Sequence, residues 1–235
     1  MKLHPMVTES LPRNAIILFI ISIIYYLVGK IHKKTEGGSV AYSYLYKSTI
    51  IMLVSFIFFF IEDIYFSIFG FKENIYNLFD FLFYGILSVG FLYLVIGVNN
   101  WGIDLHITKL SQQSIENLKK YGTIILVCGS IVSSGVCYTF SVHETIRIVY
   151  SVIFSFIWAL CIYLYVPFFK VVKDTNSSWK YILSAMTSGF ISGMFDTIRF
   201  LHERVFSLLS IIFYAFMGLF YVLGFYKLAK YLHAL

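Results

Sequence analysis

Charge is what this sequence has least of: 13% of its 235 residues are Asp, Glu, Lys or Arg, against roughly 25% in a soluble domain. Hydrophobic residues make up 59% and aromatic ones 20%, so a water-soluble fold is excluded. Cysteine is scarce as well. Cys128, Cys137 and Cys161 fall inside apolar runs without C-x-x-C spacing, which reads as packing rather than redox or metal chemistry. H-E-x-x-H spacing and Gly-rich phosphate loops are missing. His143 and His202, beside Glu144 and Glu203, fall in loops on one side, and His32, His106 and His233 on the other. No two histidines therefore share a mid-membrane layer for haem ligation. Nor does a nucleophile or histidine accompany carboxylates inside an apolar run, as hydrolytic chemistry would require. These absences point away from an enzyme, a metal and a cofactor.

What the sequence does have is apolar runs along its whole length. A hydrocarbon slab about 30 Å thick needs roughly 20 apolar residues in helical form, and seven such runs are legible. They cover 15–28, 46–63, 75–98, 121–140, 146–169, 181–200 and 205–227. The first ends in GKIHKK, and Pro167 falls near the end of the fifth, where it costs little. A tight turn with Gly70, Lys72, Glu73 and Asn74 separates the second and third. In the longest connection, Ser114 is placed to open a short surface helix. The residues before the first run hold Lys2, His4, Glu9 and Arg13, but that run is too long for a signal-peptide core and lacks a small-x-small exit. The expected fold is all-α: a multi-pass bundle of seven transmembrane helices in one domain, 1–235.

Twelve of the 18 Lys and Arg, among them Lys30, Lys47, Lys119, Lys170, Lys180 and Lys227, fall on one side of this plan. The positive-inside rule then puts the amino terminus outside and the carboxyl terminus in the cytoplasm, most simply of the cell membrane. With the lysines flanking apolar runs, the net charge of +6 is read as contact with anionic headgroups of the bilayer, not nucleic acid.

The second and sixth runs, YKSTIIMLVSFIFFFIED and WKYILSAMTSGFISGMFD, repeat one pattern. A shift of 133 sets Tyr46 on Trp179, Lys47 on Lys180, Ser55 on Ser188 and Asp63 on Asp196. Lys30 and Lys33 match Lys170 and Lys173, and Phe83-Tyr84 match Phe213-Tyr214. This gives a three-plus-one-plus-three parallel repeat: unit A at about 14–100, a linker helix at about 118–140, and unit B at about 145–232. The linker carries small residues four apart, Gly129/Ser133 and Ser130/Ser134, and is expected to pack centrally.

Ionisable groups inside spans cost roughly 2.5–3.5 kcal/mol near the centre and are functional candidates by default. Glu62, Asp63, Asp80, Asp196, Arg147 and Arg199 all fall toward the outer end. Asp196 and Arg199 are spaced to pair on one helical face. Asp80, set among Leu78, Phe79, Phe81 and Leu82, should face the bundle. Glu62 and Asp63 are expected to be interfacial and solvated. Ser184, Ser188 and Ser192 form a stripe beside Gly189 and Gly193, so Ser188 and its repeat counterpart Ser55 are candidates to line a polar path.

This plan resembles that shared by microbial rhodopsins, SWEET-type sugar carriers and PnuC-type vitamin carriers. It departs from the first in having no lysine in the middle of the last span, since Lys227 is at its end, and from the second in lacking the proline-glutamine signature. The resulting expectation is a carrier for a small solute or a cation. The alternative is a non-catalytic receptor or a structural subunit, assembling with itself or with unlike membrane chains.

Overall fold

The computed structural model describes residues 5–35, 39–70, 73–103, 110–140 and 143–234. Among these the secondary structure is helical: α1 (Pro5–Lys34), α2 (Val40–Phe69), α3 (Glu73–Ile103), α4 (Gln112–Asn117), α5 (Thr123–Phe140), α6 (His143–Val172), α7 (Ser178–Thr197) and α8 (Glu203–Tyr231). Gly70 closes α2 with a φ of +85° and donates its N–H to the Phe66 carbonyl at 3.1 Å, a conformation open to glycine. The short surface helix is present, but its cap is Ser111, whose Oγ accepts the Ser114 N–H at 3.1 Å. A π-helical turn, Leu118–Gly122, joins it to α5.

Side-chain pairings set the direction of each helix. Asn14 meets Asp63 and Tyr25 meets Tyr46, so α1 and α2 are antiparallel. Phe56 meets Phe83 and Tyr42 meets Trp101, so α3 reverses again. The pairs Tyr84–Tyr150, Phe91–Trp158 and Trp101–Phe168 make α3 and α6 parallel. Parallel neighbours require the chain to return between them, and α5 runs back along α3, with Gly122 at Leu92 and Gly85 at Ser130. In the same way α7 returns between α6 and α8, pairing Tyr165 with Trp179 and Ser192 with Ser210. Finally α8 closes on α1, where Gly218 meets Ile20. The order around the bundle is α1, α2, α3, α6, α7, α8 and back to α1, with α5 outside against α3.

Among the described residues five helices are long and apolar enough to cross a membrane, α1, α2, α3, α6 and α8, as in a membrane-embedded multi-pass protein. The most buried is α3, 72% of whose apolar window is inside, against 22–39% for the others. The small-residue helix expected at the centre, α5, is instead peripheral. Ile124, Ile125, Val127, Ile131 and Val132 are exposed on it, and a methyl group on Gly129 or Gly135 would meet nothing within 4 Å. Gly122, Leu126 and Ser130 face α3. Small residues permit close approach but do not say which neighbour uses it.

These directions sort the charges. The lysines at the ends of α1, α6 and α8 and at the starts of α2, α5 and α7 share one end, hereafter the lysine end. There four of the ring helices, α2, α3, α6 and α7, meet through Tyr42, Trp101, Tyr165, Phe168 and Trp179, with Trp101 stacked on Phe168 at 5.8 Å and edge-on to Trp179 at 5.7 Å. Val28, Val98, Ile182 and Leu228 fill in around them at 0–1% exposure, so that end of the ring is closed by side chains.

Candidate functional site

The opposite end collects the carboxylates. The last turns of α2 bring Glu62 and Asp63, the first half of α3 brings position 80, α6 begins near 147, and α7 ends at Asp196. By helix position these residues fall at one end of the bundle. The side chains of Asp80 and Arg147 lie outside the described residues.

Glu62 and Asp63 differ from expectation, being buried at 4% and 3% exposure rather than solvated at an interface. For Asp63 the cause is α1, which begins at Pro5, before the apolar run, and brings Asn14 beside the end of α2. Asn14, 1% exposed, donates from Nδ2 to Asp63 Oδ2 at 2.6 Å. A charge-assisted bond of this kind contributes roughly 1.5–3 kcal/mol. Asn14 is the functional candidate that sequence reasoning missed. Its signal was a lone amide at the head of an apolar run, which an argument built on ionisable groups passes over.

Asp196 and Arg199 do not share a continuous α-helical face. The helix stops at Thr197, whose hydroxyl bonds back to the Gly193 carbonyl at 2.9 Å, and Arg199 opens a 3-10 turn, Arg199–Leu201. Both side chains are half-buried.

The path candidates are inside the bundle. Ser55 is fully buried and donates to the Ile51 carbonyl of its own helix at 2.9 Å. Ser188 is buried on α7. One turn nearer the carboxylates, Ser192 Oγ donates to the Ser210 carbonyl at 2.9 Å and lies 3.1 Å from the Ser210 hydroxyl. Ser210 is the residue that the internal repeat sets against Asp80. Beside the serines, a Cβ on Gly189 would come within 2.7 Å of Trp158 and 2.9 Å of Met217, so the glycines of α7 seat the side chains of α6 and α8. On the far side of α6, Tyr150 donates to Ser130 Oγ at 3.0 Å, and that hydroxyl donates to the Leu126 carbonyl at 2.7 Å.

This end of the ring thus holds two buried carboxylates, a buried amide and a buried hydroxyl pair, at a depth where the lysine end has aromatic rings. Carboxylate and hydroxyl oxygens with an amide donor suit a cation or a solute rich in hydrogen-bonding groups. No family model, curated protein or solved structure matches this chain.

Proposed function

We propose that this protein is a non-enzymatic carrier for a small polar solute or a cation, entered from the carboxylate end, with all seven long helices crossing the membrane. The observation that carries the reading is the burial of acid at one end of the helical ring: among the described residues the buried carboxylates, Glu62 and Asp63, lie at the end away from the lysines, beside the buried Asn14 and the Ser192–Ser210 pair. Two of the seven helices fall outside the apolar five, yet α5 and α7 each return the chain between parallel neighbours. At 18 and 20 residues they are about 27 and 30 Å long, close to the hydrocarbon thickness. The low hydropathy of α7 fits a helix shielded from lipid by α6 and α8.

The order of packing supports the internal repeat. Mapping α1, α2 and α3 onto α6, α7 and α8 turns the α1–α2 contact into α6–α7, α2–α3 into α7–α8, and α3–α6 into α8–α1. Each of those contacts exists. A two-fold axis along the membrane normal generates this pattern, and transporters of repeated build place their sites between the units. With the lysine end in the cytoplasm, the acidic end faces outward.

The test is flux through the purified protein reconstituted alone in liposomes, with rubidium as the cation probe and radiolabelled sugars and nucleosides as solute probes. Uptake is expected for one class and should be lost in Asp63→Asn and Asp196→Asn while both variants remain folded. Undiminished uptake in both removes the carboxylate site; no uptake of any probe by the native chain counts against the carrier. The exposed glycines of α5 favour the second reading, a subunit whose partner helix lies along Gly129 and Gly135. That reading predicts copurification with an unlike chain and precipitation without it.

A further inference from the structure

A groove runs along the lipid-facing side of α3. Both α2 and α5 pack on α3, and close packing does not join α2 to α5, so α3 is the floor and the other two are the walls. At the lysine end the groove is closed by Tyr44, which rests with Leu118 against the buried Leu92, Ile96 and Ile115. Toward the middle of the helices it continues as an apolar cleft of about 160 Å³ lined by Lys47, Ile50, Ile51 and Tyr93. Tyr93 lies 6.0 Å from Tyr44, ring to ring.

Two cations converge on its mouth from opposite walls. Lys47 Nζ, from α2, stands 5.5 Å from the centre of the Tyr44 ring, and Lys119 Nζ, from the turn that opens α5, stands 5.9 Å from the same ring. Lys47 begins a turn deeper and reaches back toward the surface, as an interfacial lysine does. Among the described residues neither lysine forms an ion pair. The nearest carboxylate along the chain, Glu116, is exposed on α4. Two ammonium groups over one ring repel each other, and an anion between them removes that cost.

We propose that this groove binds an anionic phospholipid of the surrounding bilayer, its phosphate between Lys47 and Lys119 on the Tyr44 ring and one acyl chain along Ile50, Ile51 and Tyr93. A free anion would use the lysines and leave the cleft unfilled; a zwitterionic lipid would use the cleft and bring its own ammonium group to the two lysines. The site needs both features at once, which an anionic lipid supplies. It is independent of what the ring carries.

The experiment places the full chain in phosphatidylcholine vesicles containing a minority of spin-labelled phosphatidylglycerol and measures the motionally restricted fraction of the label. Selectivity over spin-labelled phosphatidylcholine is expected for the native chain. It should fall roughly five-fold for each lysine removed in Lys47→Gln and Lys119→Gln, while Lys33→Gln/Lys34→Gln, at the same end but away from the groove, leaves it in place. Ile50→Trp, a substitution on an exposed position, should lower the restricted fraction with both lysines intact. An equal loss in the Lys33/Lys34 control would make the effect a general surface potential and overturn the proposal. Unchanged selectivity in Lys47→Gln/Lys119→Gln, or displacement of the label by millimolar inorganic phosphate, overturns it too.

Discussion

At the lysine end the ring helices meet through Tyr42, Trp101, Tyr165, Phe168 and Trp179, whereas at the carboxylate end ring pairs such as Phe56–Phe83 and Phe195–Phe213 are joined by the buried hydrogen bonds Asn14–Asp63 and Ser192–Ser210. Rings bury large areas and need few hydrogen bonds, so the first end gains stability by contact. Carboxylate, amide and hydroxyl groups must find partners wherever water is excluded, so the second end is held by a few directional bonds. In the carrier proposed above, the first end stays shut and the second exchanges its partners for those of a solute.

The difference can be broken most heavily at the aromatic end. Trp101→Ala should cost about 3–5 kcal/mol by loss of packing, read as a lowered melting temperature in detergent. Because Trp101 Nε1 has no hydrogen-bond partner among the described residues, the whole of that loss is attributable to contact. The matching truncation Phe69→Ala, at a side chain 66% exposed, should leave melting unchanged. Next in size is Gly189→Ala, whose new methyl group meets Trp158 and Met217 and should cost roughly 1–3 kcal/mol. At the carboxylate end Asn14→Ala removes one charge-assisted bond to Asp63 and should cost about 1.5 kcal/mol; a loss as large as that of Trp101→Ala would erase the contrast. Smallest is Gly129→Ala. Its methyl group meets nothing, so helix propensity alone should raise stability by up to about 1 kcal/mol. A clear destabilisation would show that this face is covered by another chain in the membrane.

Much of this was legible in the sequence. Apolar runs and basic stops give the long helices, because lipid demands length and leaves the charges at the ends. The matching of Tyr46–Asp63 with Trp179–Asp196 is legible as well and motivates the repeat proposed above. The position of α5 was not legible. Its small residues fit a central and a peripheral helix equally, and what decides is that α3 presents Gly85 to Ser130, a contact between distant positions. Burial of Asp63 was missed for a related reason: its partner Asn14 sits at the head of the first apolar run, in a helix that begins before that run.

The account rests on the two ends lying at opposite membrane surfaces, and so on α7 crossing the membrane although its composition is not that of a span. In a background with Cys128, Cys137 and Cys161 replaced, a single cysteine at Asp174 or at Leu201, exposed positions before and after α7, can be probed with an impermeant maleimide on intact cells. Leu201→Cys should react from outside, and Asp174→Cys only after permeabilisation. Labelling of both from the same side would mean that α7 does not cross, and would contradict the separation of carboxylates from lysines on which the carrier depends.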